Sequence, residues 1–470
     1  MVIGNVADGL GRRIERASDS VSEALFEPVV RLGVTGLSRS GKTVFITSLI
    51  ANLLDRGRMV QLVGARSGAI LSAYLQPQPD DMLPRFEYEK HLSDMIGNAP
   101  KWPQSTRSIS QLRLSFKVQG TGIVSGMRGP RTVHLDIVDY PGEWLLDLPL
   151  LSQSFAQWSA TSLELAGKGA RIGFAKKWLA VDVDPSASLS EGDAQRLAGA
   201  FTTYLSDCRE AGFSACSPGR FLMPGDLAGS PALTFAPLQG SGGRGSLYRE
   251  FERRFEAYKS KVVKPFFKDH FSRIDRQVVL VDALGALHAG PQAVHDLSVA
   301  MSDILTCFKT GQNGFLSALL GKSVERILFA ATKADHLHHA QHGALTTIMD
   351  ALLRQAKDRA QYRGAVTQSL SLAGLRTTVE EVVNHGGEEL EAVRGHLLET
   401  GKEAVMYAGE LPTDPAEILQ ASREGAKNWL ARDYAIMRFA PAKITLKPGD
   451  GPPHIRLDRA AEFLIGDKLI

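Results

Sequence analysis

The most constraining stretch of this chain is residues 29–54. Val29-Val30-Arg31-Leu32-Gly33-Val34-Thr35 is a β-rich run that leads directly into Gly36-Leu37-Ser38-Arg39-Ser40-Gly41-Lys42-Thr43. The residues that follow, VFITSLIANLL, place Val44, Ile46, Leu49, Ile50 and Leu53 at helical spacing. Strand, glycine loop and helix in this order meet the context that the pattern G-x-x-x-x-G-K-[ST] requires of a phosphate cradle. Glycines let the backbone curl so that successive N–H groups face one anion, and the helix N-terminus adds a favourable dipole. The expected cradle is Gly36, Ser38, Arg39, Ser40, Gly41, Lys42, Thr43 and Val44, with Lys42 reaching the β- and γ-phosphates and the Thr43 hydroxyl ligating Mg2+.

Two further motifs follow in order. RTVHLDIVDY (131–140) alternates like a strand and ends in Asp139-Tyr140-Pro141-Gly142. A carboxylate at the end of a strand beside the phosphate loop is where Mg2+ needs a ligand or a water-mediated partner, and the Gly142 N–H can sense a γ-phosphate. Taken alone, D-x-x-G also describes a turn that ends a strand. After the strand RILFAA comes Thr332-Lys333-Ala334-Asp335. The Asp335 carboxylate can accept from guanine N1–H and the 2-amino group. Adenine offers an acceptor and no 2-amino donor, so it would leave the carboxylate unpaired. Lys333 would lie along the base plane. The plainer reading of Asp335 is a helix N-cap.

Composition narrows the class. The chain has 470 residues, with 54 Lys+Arg against 51 Asp+Glu, a formal charge of +3. That balance argues against a surface built mainly to bind polyanions, so no nucleic-acid partner is expected. Cys208, Cys216 and Cys307 form no C-x-x-C pair, which fits a reducing compartment. The expected setting is the cytoplasm, because no apolar run approaches a membrane span and residues 1–20 lack a hydrophobic signal core.

The motif order, with the blocks GLSRSGKTVFITSL, DYPGEWLLDLPLL, RQVVLVDAL, RILFAATKADHLHH and IRLDRAAEFLIGD, resembles the bacterial YcjX-like family of stress-associated P-loop GTPases. The blocks run from about residue 31 to the C-terminus. The resemblance implies a Ras-like G domain with helical insertions, GTP and GDP with Mg2+, a cytosolic protein and, in some relatives, a functional link to an integral membrane partner. It also implies a switch threonine before the strand ISQLRLSFKV. Thr106 fits, with Ser105 and Ser108 as competitors; its hydroxyl would complete the Mg2+ shell and its N–H would meet the γ-phosphate. A base-capping loop should follow AVTQSLSLA, at Gly374-Leu375-Arg376.

Glu143 departs from the pattern, because many GTPases carry glutamine directly after D-x-x-G to orient the attacking water. A carboxylate beside a γ-phosphate is repelled unless protonated or paired, so Glu143 acts either as a base or in an ion pair elsewhere. Arg39 either supplies charge in cis or makes a structural or nucleotide-edge contact. Slow intrinsic hydrolysis is expected.

The fold class expected is α/β: a three-layer P-loop domain with a large, mainly helical insertion. The divisions expected are an arm or helix at 1–28, a first G-domain part at 29–142, the insertion at 143–275, a second G-domain part at 276–390 and a C-terminal extension at 391–470. Within 391–470 the segments AVRGHLL and EAVMYAG read as a hairpin and IRLDRAAEFLIGDKLI as a terminal helix. The function expected is a Mg2+-dependent GTP-binding switch with an unknown protein partner. An ATPase and a GTP-gated scaffold with negligible turnover stay open. His338 and His342 have the i, i+4 spacing of a metal-binding helix, set against a bland surface helix end.

Overall fold

The structure is a computed structural model. It describes residues 27–37, 39–104, 106, 108–120, 129–270, 273–306, 324–362, 364–424 and 436–470. Nearly all of the expected N-terminal arm lies outside the described residues, as do Ser38, Ser105 and Cys307.

Among the described residues seven strands form one sheet: β1 Val29–Gly36, β2 Ile70–Gln76, β3 Ser110–Val118, β4 Arg131–Asp139, β5 Arg276–Val281, β6 Arg326–Ala331 and β7 Val366–Ser371. Their order is β2-β3-β4-β1-β5-β6-β7. The pairs β4–β1, β1–β5, β5–β6 and β6–β7 are parallel, whereas β2–β3 and β3–β4 are antiparallel. The C-terminal ends of five strands therefore share one edge, where open α/β sheets bind ligands.

Period-2 alternation sorts side chains into two cores. Leu32, Val34, Val278, Leu280, Leu328 and Ala330 pack with the helix Lys42–Leu54 and the C-terminal helix Leu457–Ile465 on one face. Val279, Val281, Phe329 and Ala331 face the other way, into a core that continues through the helices Ala283–Ala289, Pro291–Thr306 and His342–Leu352. Helix, sheet and helix make the three layers.

Between β4 and β5 the described residues hold helices and no strand beyond an isolated bridge, Ser188 to Ser246. Aromatic side chains carry this insertion: Trp158 stacks on Phe255 at 5.1 Å and Trp178 on Tyr204 at 5.1 Å. The helix Leu247–Tyr258 buries Phe251, Phe255 and Tyr258 along one face. Pro265 does not interrupt the helical path. A π turn at Lys259–Val263 joins the preceding helix to Lys264–Asp269, and this wider turn just before Pro265 accommodates the N–H that proline lacks. Arg171 and Asp296 form a buried ion pair at 2.8 Å, and Asp296 also accepts the Ser214 and Ala215 N–H groups, which pins the insertion to Pro291–Thr306.

Two features were not evident from the residues. β2 is an edge strand with mostly half-buried side chains, so its alternation is blurred. β8 Val379–His385 is rich in glutamate and pairs with β9 Glu388–His396, which pairs with β10 Glu403–Met406. The expected hairpin is thus two strands of a three-stranded sheet, and the expected boundary at 390/391 falls inside β9. Among the described residues no helix is long and apolar enough to cross a membrane.

Candidate functional site

Gly41 caps the helix Lys42–Leu54 in the left-handed region (φ 78°), where glycine costs least. Its carbonyl accepts from Phe45 N–H and starts the helix, of which Val44 is the third residue. Arg39 also has positive φ (63°) and is exposed. The Lys42 ammonium donates to the Gly36 carbonyl at 3.0 Å, across the mouth of the loop.

The β3–β4 register sets Ser110 opposite Asp139 and so brings Thr106, four residues earlier, to the end of β4. The Thr106 hydroxyl donates to Asp139 at 2.7 Å and lies 3.3 Å from the Thr43 hydroxyl. Three residues expected to hold Mg2+ are thereby gathered from three segments. Asp139 Oδ1 is buried and has no hydrogen-bond partner among the described residues, and the same holds for Ser40 Oγ. Two hydroxyls and a carboxylate with an orphaned oxygen form a hard-oxygen set that fits Mg2+. Burial pushes the Asp139 carboxyl up to about 6, against the opposing pull of Lys42 and the Thr106 hydrogen bond.

Gly142 is a glycine because nothing larger fits. A Cβ there would lie 1.7 Å from the Gly36 carbonyl oxygen and 3.2 Å from Leu37 Cα. The turn helix Gly142–Ser152 that follows is fastened to the insertion. Asp147 accepts from Gly219 N–H (2.7 Å), Arg220 N–H (3.3 Å) and the Tyr258 hydroxyl (2.6 Å). The Trp144 indole donates to the Met223 carbonyl at 2.9 Å. Glu143 is buried, 3.8 Å from Arg209 of the insertion helix Glu191–Glu210. Arg39, Ser40, Glu143, Arg209 and Asp282 line a cavity of about 130 Å3 beside the phosphate loop.

At the far side, Lys333 has positive φ (61°) and its ammonium pairs with Asp282, which caps the helix after β5. Asp335 is buried. Its Oδ2 accepts from Thr377 N–H at 3.0 Å and the Thr377 hydroxyl at 2.7 Å, and the Thr378 hydroxyl donates to its backbone carbonyl. Burial works to raise the Asp335 carboxyl, but His336 and the Thr377 hydrogen bonds outweigh it and hold it below its ordinary value. Gly374 packs on the first turn of Lys42–Leu54, where an added Cβ would sit 3.1 Å from Phe45 Cα. The loop after β7 thus joins the phosphate loop to Asp335.

In that loop Leu375 is buried. The Arg376 N–H is spent on the Pro453 carbonyl at 2.8 Å, and its guanidinium reaches Thr378 O and Glu380. Thr377 makes the contacts to Asp335, and the sequence did not single it out. A second hydroxyl residue just past a strand end is too common a pattern to mark. Asp282 and Arg209 were missed because they enter only through tertiary contact. The spacing of His338 and His342 is not that of one helix face: the helix begins at His342, whose Nε2 faces the Ala334 and Leu337 carbonyls. Asp136 is structural, paired through both carboxylate oxygens with Arg113.

The raised carboxyl predicts a pH effect on the nucleotide-free, Mg2+-free protein. A folded-state value near 6 against an ordinary 3.8 means that the folded chain binds more protons between those limits, so the contribution of Asp139 to stability falls as pH rises from about 4 to about 6. Asp139→Asn is expected to flatten that part of the melting-temperature profile. Identical slopes in both proteins would contradict the assignment.

Residues 30–469 match the family described as the YcjX-like family, DUF463. The chain is similar to the Ras-like GTPase YcjX of Escherichia coli (strain K12), with 38% identity covering 94% of this chain and 96% of the relative. It is also similar to the Ras-like GTPase YcjX of Shewanella oneidensis, with 32% identity covering 97% and 98%. The α/β phosphate-loop fold described above and these full-length matches together place the chain in the YcjX-like family.

Proposed function

We propose that the chain is a Mg2+-dependent GTP-binding protein that hydrolyses GTP slowly to GDP and phosphate and works as a nucleotide-gated switch. The observation that carries this reading is the convergence of Lys42, the Thr43–Thr106–Asp139 trio and the Asp335–Thr377 pair on one sheet edge. Lys42 leaves the Gly36 carbonyl to neutralise phosphate charge. Thr43 and Thr106 hold Mg2+ through their hydroxyls and Asp139 positions it, the ion supplying charge neutralisation when bound. Asp335 reads guanine from a carboxylate that Thr377 orients.

Slow turnover follows from Glu143. It replaces the amide that would orient water, and it is buried near Arg209. Gating follows from the fastening of Gly142–Ser152 to the insertion: a γ-phosphate that reorders Thr106 and Gly142 must move Trp144 and Asp147, and the insertion with them. That movement would present a changed surface to a protein partner.

Lys42→Ala is expected to weaken GDP binding by about 100-fold, about 2.7 kcal/mol. Titration with fluorescent GDP in the presence of Mg2+ measures it. Unchanged affinity would remove the phosphate loop from the account.

A further inference from the structure

His338 and His339 take no part in the nucleotide site, yet they converge with Glu380 of β8. His339 Nδ1 lies 2.8 Å from Glu380 Oε2 and His338 Nε2 lies 3.9 Å from the same oxygen. One ligand atom from each of the three lies within 4.8 Å of the others, and no other group of three such side chains does so among the described residues. We propose that His338, His339 and Glu380 bind a divalent transition-metal ion, with Zn2+ the best match.

The distances suit it. Tetrahedral bonds of about 2.0–2.1 Å place ligand atoms about 3.3 Å apart, and the observed separations fall on either side of that value. Two imidazoles and one carboxylate are the donors that borderline ions take, and Mg2+ and Ca2+ prefer oxygen alone. The surroundings orient each ligand. Arg376 lies 3.5 Å from Glu380 Oε1, which leaves Oε2 for the ion. His338 Nδ1 lies 3.4 Å from Glu391 Oε2, so when Nε2 binds the ion and the proton sits on Nδ1, a carboxylate stands beside it to stabilise that tautomer. In this structure Nδ1 accepts from Ala340 N–H at 3.5 Å, a contact that binding through Nε2 exchanges for the Glu391 carboxylate. His338 is buried and His339 is exposed, so the fourth position opens to water.

The site joins two segments distant in sequence, the turn just after Asp335 and the strand that begins just after Thr378. A bound ion would brace one against the other.

The test is calorimetric titration of the untagged, chelator-treated full chain with ZnCl2, with excess Mg2+ present and no nucleotide. The expected result is one equivalent bound, weakened about tenfold or more in both His339→Ala and Glu380→Gln. Both side chains are partly exposed, and circular dichroism melts of the two variants report whether they fold as the wild type does. Absence of saturable binding by the wild-type chain up to about 100 μM, about 5.5 kcal/mol, would show that the cluster is only an ion pair and would overturn the site. Binding that survives either substitution in a folded variant would overturn it equally.

Discussion

Gly142→Ala is expected to lower single-turnover GTP hydrolysis at saturating nucleotide by about 100-fold, the size of loss seen when one preorganised donor to a transition-state anion is displaced. The cause is steric. The new methyl would meet the Gly36 carbonyl at 1.7 Å and the Gly36 carbonyl carbon at 2.6 Å, and both are backbone atoms that no rotamer change can move. Either the end of β4 retreats or the entry to the phosphate loop does. Retreat of β4 is resisted by Tyr140, which is fully buried and packs on Phe266 at 5.8 Å, and by Trp144, which packs on Phe266 at 5.5 Å. The strain should also lower stability by about 1–3 kcal/mol. A variant that hydrolyses GTP within about threefold of wild type would show that the Gly142 N–H is not the γ-phosphate contact.

Asp335→Asn is expected to weaken GDP binding by about 100-fold, about 2.7 kcal/mol, and to remove the preference for guanine over adenine. Thr377 donates twice to Oδ2, so an asparagine there turns its carbonyl toward Thr377 and its amide toward the base. The amide N–H groups then face the guanine N1–H and 2-amino donors. Xanthine carries an acceptor at position 2, so xanthosine diphosphate should bind the variant better than GDP does. GDP affinity that stays within about threefold of wild type would leave Asp335 with the structural role of holding Thr377 and no part in reading the base.

The three motifs could be read from sequence because each is local. Gly36 to Thr43, Asp139 to Gly142 and Thr332 to Asp335 are each contiguous, and each sits at the end of a strand marked by alternation or by an apolar run. The same is true of the parallel strands β5 and β6, whose runs of apolar residues are buried on both faces. What could not be read depends on contacts between distant residues. Thr377 meets Asp335 across 42 positions, and Lys333 meets Asp282 across 51. The C-terminal segment illustrates the point. Ile455 bridges to Ala373, and the Asn52 amide donates to the Pro452 carbonyl, so residues near the end of the chain brace the loop that carries Thr377. Nothing in their composition announces this. Glu143 lies between the two cases: its departure from glutamine is visible in sequence, but its partner, Arg209, emerges only when the insertion folds over it.

The central claim is that this sheet edge binds guanine nucleotide. The most direct test is titration of nucleotide-free full-length protein with fluorescent GDP, GTP and ADP, each with Mg2+. Saturable binding of GDP and GTP is expected, at least about tenfold tighter than ADP, a difference of about 1.4 kcal/mol. Equal or tighter ADP binding would contradict it, and would leave Lys42 and Asp139 serving an adenine nucleotide.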